Sequence, residues 1–190
     1  MKPKIFLGKR SKFSDSEAIF MISKYGIARV IDITEDKIVE EFIEFEKTNL
    51  TLLELATLAR EIHQNKRDGQ SLVHGDFGLN NTTIYRGVPK CYDYEHVHFG
   101  NKYVDLGRVV LRSCKSIEEV ETFFQRYNGR MPFISELKEG LESFCDWQNK
   151  IRFEKNLPYQ EVPLIRKRRL QLARNRNVEE LITAFKAEVS

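Results

Sequence analysis

The chain has 190 residues, of which 41% are apolar and 11% aromatic, enough for one substantial core or two small lobes and too apolar for a disordered chain. Its formal net charge of +3 is too small to imply a polyanion partner by itself. No apolar run approaches the ~20 residues that cross a bilayer, which argues against a helical span, and the three cysteines, Cys91, Cys114 and Cys145, lack metal-type spacing and fit a reducing, cytoplasmic setting.

In chain order, Lys4 to Lys9 reads as a strand. Ser14 to Gly26 predicts a helix with Ser14 or Asp15 as N-cap, an apolar stripe of Ala18, Ile19 and Ile22, and Gly26 as its stop. Ile27 to Phe45 reads as two strands joined by a polar turn at Thr34 to Lys37. The period then changes. Leu52, Leu55, Ala56, Ala59, Ile62 and His63 recur at helical spacing, with Thr48 or Asn49 as the expected cap and the polar stretch Asn65 to Gln70 as the end. Ser71 to Asp76 is a short strand entering a tight glycine turn, and Thr82 to Tyr85 with Val88 to Tyr94 forms a hairpin around Arg86-Gly87. From Ser116 the pattern is helical to the end. This divides the chain into a small mixed part, residues 1–45, and a larger part, residues 46–190, with a hinge at Glu44 to Asn49.

Residues 74–96 gather acids around that hairpin. Buried strands avoid carboxylates because desolvating an unpaired charge costs roughly several kcal/mol, so acids at strand ends point to a ligand that neutralises them, a metal ion first. Asp76 follows the tight turn, which would lift its carboxylate toward an incoming hydroxyl. Asn81 offers a neutral amide oxygen, and the hairpin is expected to return Asp93 beside it. Oxygen ligands with open positions suit Mg2+, which keeps water and takes substrate phosphates; phosphoryl transfer needs this equipment and a group to receive the hydroxyl proton.

The ordered set His74-Gly75-Asp76, Asn81, Asp93-Tyr94-Glu95 and Val104-Asp105-Leu106 resembles the catalytic segment of the aminoglycoside phosphotransferase and choline kinase group, small-molecule kinases of the protein-kinase-like fold. Glu54 to Asn65 resembles that group's helix ahead of the catalytic loop, and Lys37 to Phe45 its adenine-holding strand and hinge, which assigns Glu41 and Ile43 to the cofactor. The resemblance implies an α+β, two-lobe fold with a mainly helical C-terminal lobe. It also implies an ATP- and Mg2+-dependent phosphotransferase acting on a hydroxyl of a small molecule. Position by position, it makes Asp76 the catalytic base, His74 a residue that orders the turn, Asn81 and Asp93 the Mg2+ ligands, and Glu95 a contact to a second metal or its water. Asp105 becomes the buried brace of the catalytic loop, Lys9 a phosphate contact and Glu17 its helix partner. One departure stands out: eight residues precede Lys9. The Gly-rich phosphate-covering loop is therefore expected to be missing and the small β lobe reduced, leaving ATP weakly held or a partner chain to complete the lobe.

The alternative is a nucleotide-binding or interaction module without turnover. An RNA-associated form of it would use Arg166 to Arg176, which holds six basic residues, although such a run is more often a solvated helix face and nucleic acid is the less favoured partner. Phe144, Trp147 and Tyr127 could line a pocket for a cationic acceptor, but aromatics at helical spacing are more often core.

Overall fold

Asp15–Tyr25 forms α1, which Gly26 ends by donating its N–H to the Ile22 carbonyl at 2.9 Å. Met21, Ile22 and Tyr25 face the core. An antiparallel pair follows, β1 (Val30–Ile33) and β2 (Ile38–Glu40). The computed structural model describes residues 15–33, 38–40, 43–94, 96–132, 136–137 and 140. The expected strand at residues 4–9 with Lys9, the turn at residues 34–37, Glu41, Glu95, Phe144, Trp147 and the basic run 166–176 lie outside the described residues.

The central helix α2 (Leu52–His63) is capped by Thr51, not by Thr48 or Asn49. Thr51 accepts from the Glu54 N–H, while the Glu54 carboxylate accepts from the Thr51 N–H at 2.8 Å. This reciprocal capping box is written in the sequence as Thr51-Leu-Leu-Glu54. Freed from the cap, the residues before it serve as an extended connection. The Thr48 carbonyl accepts from Ile84 N–H at 3.0 Å, and Thr48 N–H donates to Thr83 Oγ1 at 3.0 Å, so the segment expected as a hinge is fastened to the next strand pair.

Asn65 to Gln70, expected only as a helix end, contains β3 (Lys66–Arg67) and a turn at Asp68 and Gly69 with φ of 50° and 77°. It leads into β4 (Gln70–Val73). Asp-Gly with both residues at positive φ matches the twist of a two-residue hairpin. The expected hairpin is present as β5 (Thr82–Tyr85) and β6 (Val88–Cys91), reached through a short 3-10 turn at Leu79–Asn81. A further strand, β7 (His98–Gly100), pairs with the free edge of β4 to give the sheet order β3-β4-β7. Then come α3 (Tyr103–Arg112) and α4 (Ile117–Asn128), the latter capped by Ser116 and ended by Gly129 at φ 77°.

The core lies where α2, α3 and α4 meet, around Leu55, Ile62, Leu106, Val109, Phe123 and Phe124, all shielded from solvent. The architecture is mixed α+β with small sheets beside a helical core. Among the described residues no helix is long and apolar enough to cross a membrane.

Candidate functional site

The site begins where β4 ends. Gly75 takes φ 78°, a left-handed conformation, and a Cβ there would strike the backbone of His96, so this turn needs glycine. Asp105, in the first turn of α3 and fully buried, braces it. Its Oδ1 accepts from Gly75 N–H at 2.8 Å, and its Oδ2 accepts from His74 N–H at 2.8 Å and from His63 Nε2 at 3.1 Å. Nδ1 of His63 is then left to accept from the Tyr127 hydroxyl at 3.0 Å. Burial alone would raise the Asp105 carboxyl, but hydrogen bonding and attraction from His63 and His74 hold it below its ordinary value. Three donors make this a satisfied buried charge rather than a stranded one.

His74 is fully buried as well. Its Nε2–H donates to the Tyr92 carbonyl at 3.0 Å, and its Nδ1 accepts from Asp76 N–H at 3.3 Å. These partners require the neutral ring, and burial pushes the imidazole below its ordinary value in agreement. The ring orders the turn by tying Asp76 to Tyr92, the residue directly after the β5–β6 hairpin.

Asp76 itself is mostly engaged. Oδ1 accepts from Arg108 Nη1 and from Arg112 Nη1, the latter at 2.9 Å. Oδ2 accepts from Asn81 Nδ2 at 2.9 Å, and the same amide nitrogen donates to the Asp76 carbonyl at 2.8 Å. A carboxylate offers about four lone-pair positions, so the remaining one is on Oδ2. Sequence reasoning missed the two arginines of this cluster. Their signal was a charged stripe, Asp105, Arg108 and Arg112, at the three- and four-residue spacing of one helix face, in a segment otherwise built of Leu106, Val109 and Val110.

Asn81 ends the 3-10 turn, which Ser113 anchors by accepting from Leu79 N–H at 3.1 Å. Because its NH2 group is committed to Asp76, its oxygen is the free end, and among the described residues Oδ1 accepts no hydrogen bond. Tyr92 N–H donates to the Asn81 carbonyl at 3.0 Å, continuing the β5–β6 register, and Asp93 comes next in the chain. Asp93 is exposed, stands at φ 67°, and among the described residues has no hydrogen bond or ion pair. Among the described residues there is no cluster of three or more His, Cys, Asp or Glu side chains suited to a metal. A divalent ion at this place would draw on Asn81 Oδ1 and Asp93, with water and phosphate oxygens completing its shell, a donor set that fits Mg2+.

Of the other expected residues, Glu17, Ile43 and Tyr127 are described. Glu17 is buried on α1 and ion-paired with Arg67 of β3, whose guanidinium lies 4.4 Å from the Phe99 ring centroid. Ile43 is half-buried at the start of the extended connection, and Phe45, two residues on, meets the Tyr92 ring at 5.6 Å. Tyr127 is a core residue bonded to His63, so it does not line an acceptor pocket.

No protein-family model matches the chain, and no curated protein matches it. In structure it is similar to a choline/ethanolamine kinase family protein from Mesorhizobium loti, with a TM-score of 0.59 and 10% identity, over 93% of this chain and 84% of that one. The fold is kinase-like.

Proposed function

We propose that the chain is an ATP- and Mg2+-dependent phosphotransferase that acts on a hydroxyl of a small molecule, with residues 1–45 in its small lobe and 46–190 in its larger lobe. The observation that carries this is an Asn81 amide oxygen and an Asp93 carboxylate that, among the described residues, have no hydrogen-bond partner, linked through the Tyr92–Asn81 backbone bond and set beside an Asp76 that keeps one lone-pair position on the oxygen shared with Asn81. Asp93 in the left-handed region supports the reading, because such backbone is costly for a side chain-bearing residue and collects at ligand sites.

In this reading Asn81 Oδ1 and Asp93 would hold Mg2+, with Glu95 a candidate second contact, and the bound ion would supply neutralising charge for the phosphoryl group. Asp76 orients the acceptor hydroxyl through Oδ2. As the hydroxyl oxygen bonds to the γ-phosphorus and the bond to ADP breaks, the hydroxyl proton passes to Oδ2 while the arginines fix Oδ1. The transition state of such a transfer is loose, so positioning matters more than basicity. His74 and Asp105 position Asp76 without touching the substrate. Ile43, with Glu41, would border the adenine, and Lys9 with Glu17 the phosphates.

The experiment is ADP release across a panel of hydroxyl acceptors with ATP and Mg2+. Asp76→Asn should leave Mg-ATP affinity nearly intact and lower turnover by about 10²-fold or more, whereas Asp93→Asn should damage both. Equal turnover of Asp76→Asn and the parent would overturn the assignment of the turn. The guanidinium pair on Asp76 favours one competitor, a nucleotide-binding module without turnover in which Asp76 is structural. Mg-ATP binding with no ADP release from any acceptor supports that one.

A further inference from the structure

Arg108 and Arg112 set two fixed positive charges against a single carboxylate oxygen, Oδ1 of Asp76. The nearby Asp105 also attracts Arg108, but its oxygens are taken up by His63, His74 and Gly75. The two arginines differ in surroundings. The Arg108 side chain is 3% exposed, and burial holds its guanidinium below its ordinary value against the pull of Asp76 and Asp105. The Arg112 side chain is 32% exposed and among the described residues makes one hydrogen bond, end-on to an oxygen it shares. A guanidinium has five N–H donors in a fixed fork and favours bidentate partners such as phosphate. Most of that fork on Arg112 is therefore uncommitted at the edge of the site.

The position of the fork separates it from the nucleotide. Oδ2 of Asp76 is bonded to Asn81, on the side of the proposed metal, while both guanidiniums are bonded to Oδ1. Asp76 and the buried Asp105 balance the two guanidiniums overall, but the carboxylates lie behind them and the partly exposed Arg112 fork is the charge a newcomer meets, so a cationic group set against that fork costs rather than gains free energy. An anionic one would be drawn in.

We propose that the molecule presented to Asp76 carries an anionic, phosphate-like group beside its hydroxyl, and that Arg112 binds this group. The proposal rests on the kinase reading above and deepens it. Arg108 supplies charge and holds Asp76 in place; Arg112 is the specificity residue. Phosphorylated or otherwise acidic alcohols become the acceptor class, ahead of amino alcohols.

Calorimetric titration of the full chain tests this in two stages. The β,γ-imido analogue of ATP with Mg2+ is titrated first; no binding removes the kinase reading and this proposal with it. On that complex, glycerol 3-phosphate, glycerol and choline are then compared. The expected result is glycerol 3-phosphate bound at least about tenfold more tightly than either, the advantage shrinking by about tenfold in Arg112→Gln while affinity for the nucleotide analogue stays unchanged. Arg112→Lys, which keeps the charge and loses the fork, should retain part of the advantage. Nucleotide binding with no preference for the charged probe, or a preference that Arg112→Gln leaves intact, overturns the proposal and leaves the kinase reading standing.

Discussion

The turn after β4 and the loop after β6 both place an aspartate at the site, and they treat it in opposite ways. Asp76 is held by Asn81, Arg108 and Arg112, and the turn carrying it is fastened from below by the buried Asp105. Asp93 is exposed, in a left-handed backbone conformation, and unpartnered among the described residues. The first region is largely held within the chain and should behave as structure as well as chemistry. The second gains no hydrogen bond or ion pair from the described residues, which is what the proposed ligand site would leave open. If the comparison is right, substitutions in the first region cost stability without ligand, and substitutions in the second are felt only when ligand is present.

The largest effect is expected at Asp105. Asp105→Asn removes one acceptor oxygen and turns an NH2 toward donors already aimed at it, leaving buried N–H groups of the turn unpaired. The loss should be about 3 kcal/mol, read as a lower urea midpoint at neutral pH. A loss under about 1 kcal/mol would break the claim that this carboxylate holds the turn. The native carboxyl lies below its ordinary value, so its contribution is present above the unfolded value of about 3.9 and lost as pH falls through the native one.

His74 gives a smaller and earlier acid effect. Burial lowers its native value, so below the ordinary value of about 6.5 the unfolded chain takes up a proton that the folded chain refuses. Stability is therefore full above that pH and falls as pH drops toward the native value, by at most about 1.4 kcal/mol per pH unit. Urea unfolding between pH 7.5 and 5.5 should show this slope in the parent and a flatter one in His74→Gln. Equal slopes would mean that His74 does not sit neutral in the fold.

The contrast itself was not legible in the sequence, where Asp76 reads as lifted clear toward a hydroxyl while the fold holds it with Arg108, Arg112 and Asn81; the order of the elements around it was legible. His74, Asp76, Asn81 and Asp93 are separated by turn and hairpin signals that act locally, and the β5–β6 hairpin these signals predict is present, with Tyr92, the residue before Asp93, bonded to the Asn81 carbonyl. The same locality misled at Thr48 and Asn49, which look like caps; Thr51 wins because only it has Glu54 three residues on to close the box. What lies far apart in sequence stayed hidden. β7 is three residues long and gains its identity only from the exposed edge of β4. Arg108 and Arg112 meet Asp76 across more than thirty residues, a distance over which periodicity carries no information. Glu17 was expected to partner Lys9, which lies outside the described residues; its ion pair with Arg67 was not foreseen, because Arg67 belongs to a hairpin that had read as a polar helix end.

The smallest effect is the sharpest on the comparison. Asp93 takes φ 67°, a region that costs an L-residue about 1 kcal/mol and glycine almost nothing. Asp93→Gly removes that strain, and the added freedom of glycine in the unfolded chain offsets part of the gain. Without ligand, the variant should lie between unchanged and about 1 kcal/mol more stable than the parent, the reverse of what Asp105→Asn does. With millimolar Mg2+ and ATP the order should invert: the parent gains melting temperature because ligand binds only its native state, and the variant, lacking the proposed metal ligand, does not. Calorimetric melts of both chains, with and without Mg-ATP, give the four values needed. A variant that loses stability without ligand would show that Asp93 is held by the fold after all, and one that gains as much from Mg-ATP as the parent would remove Asp93 from the metal site.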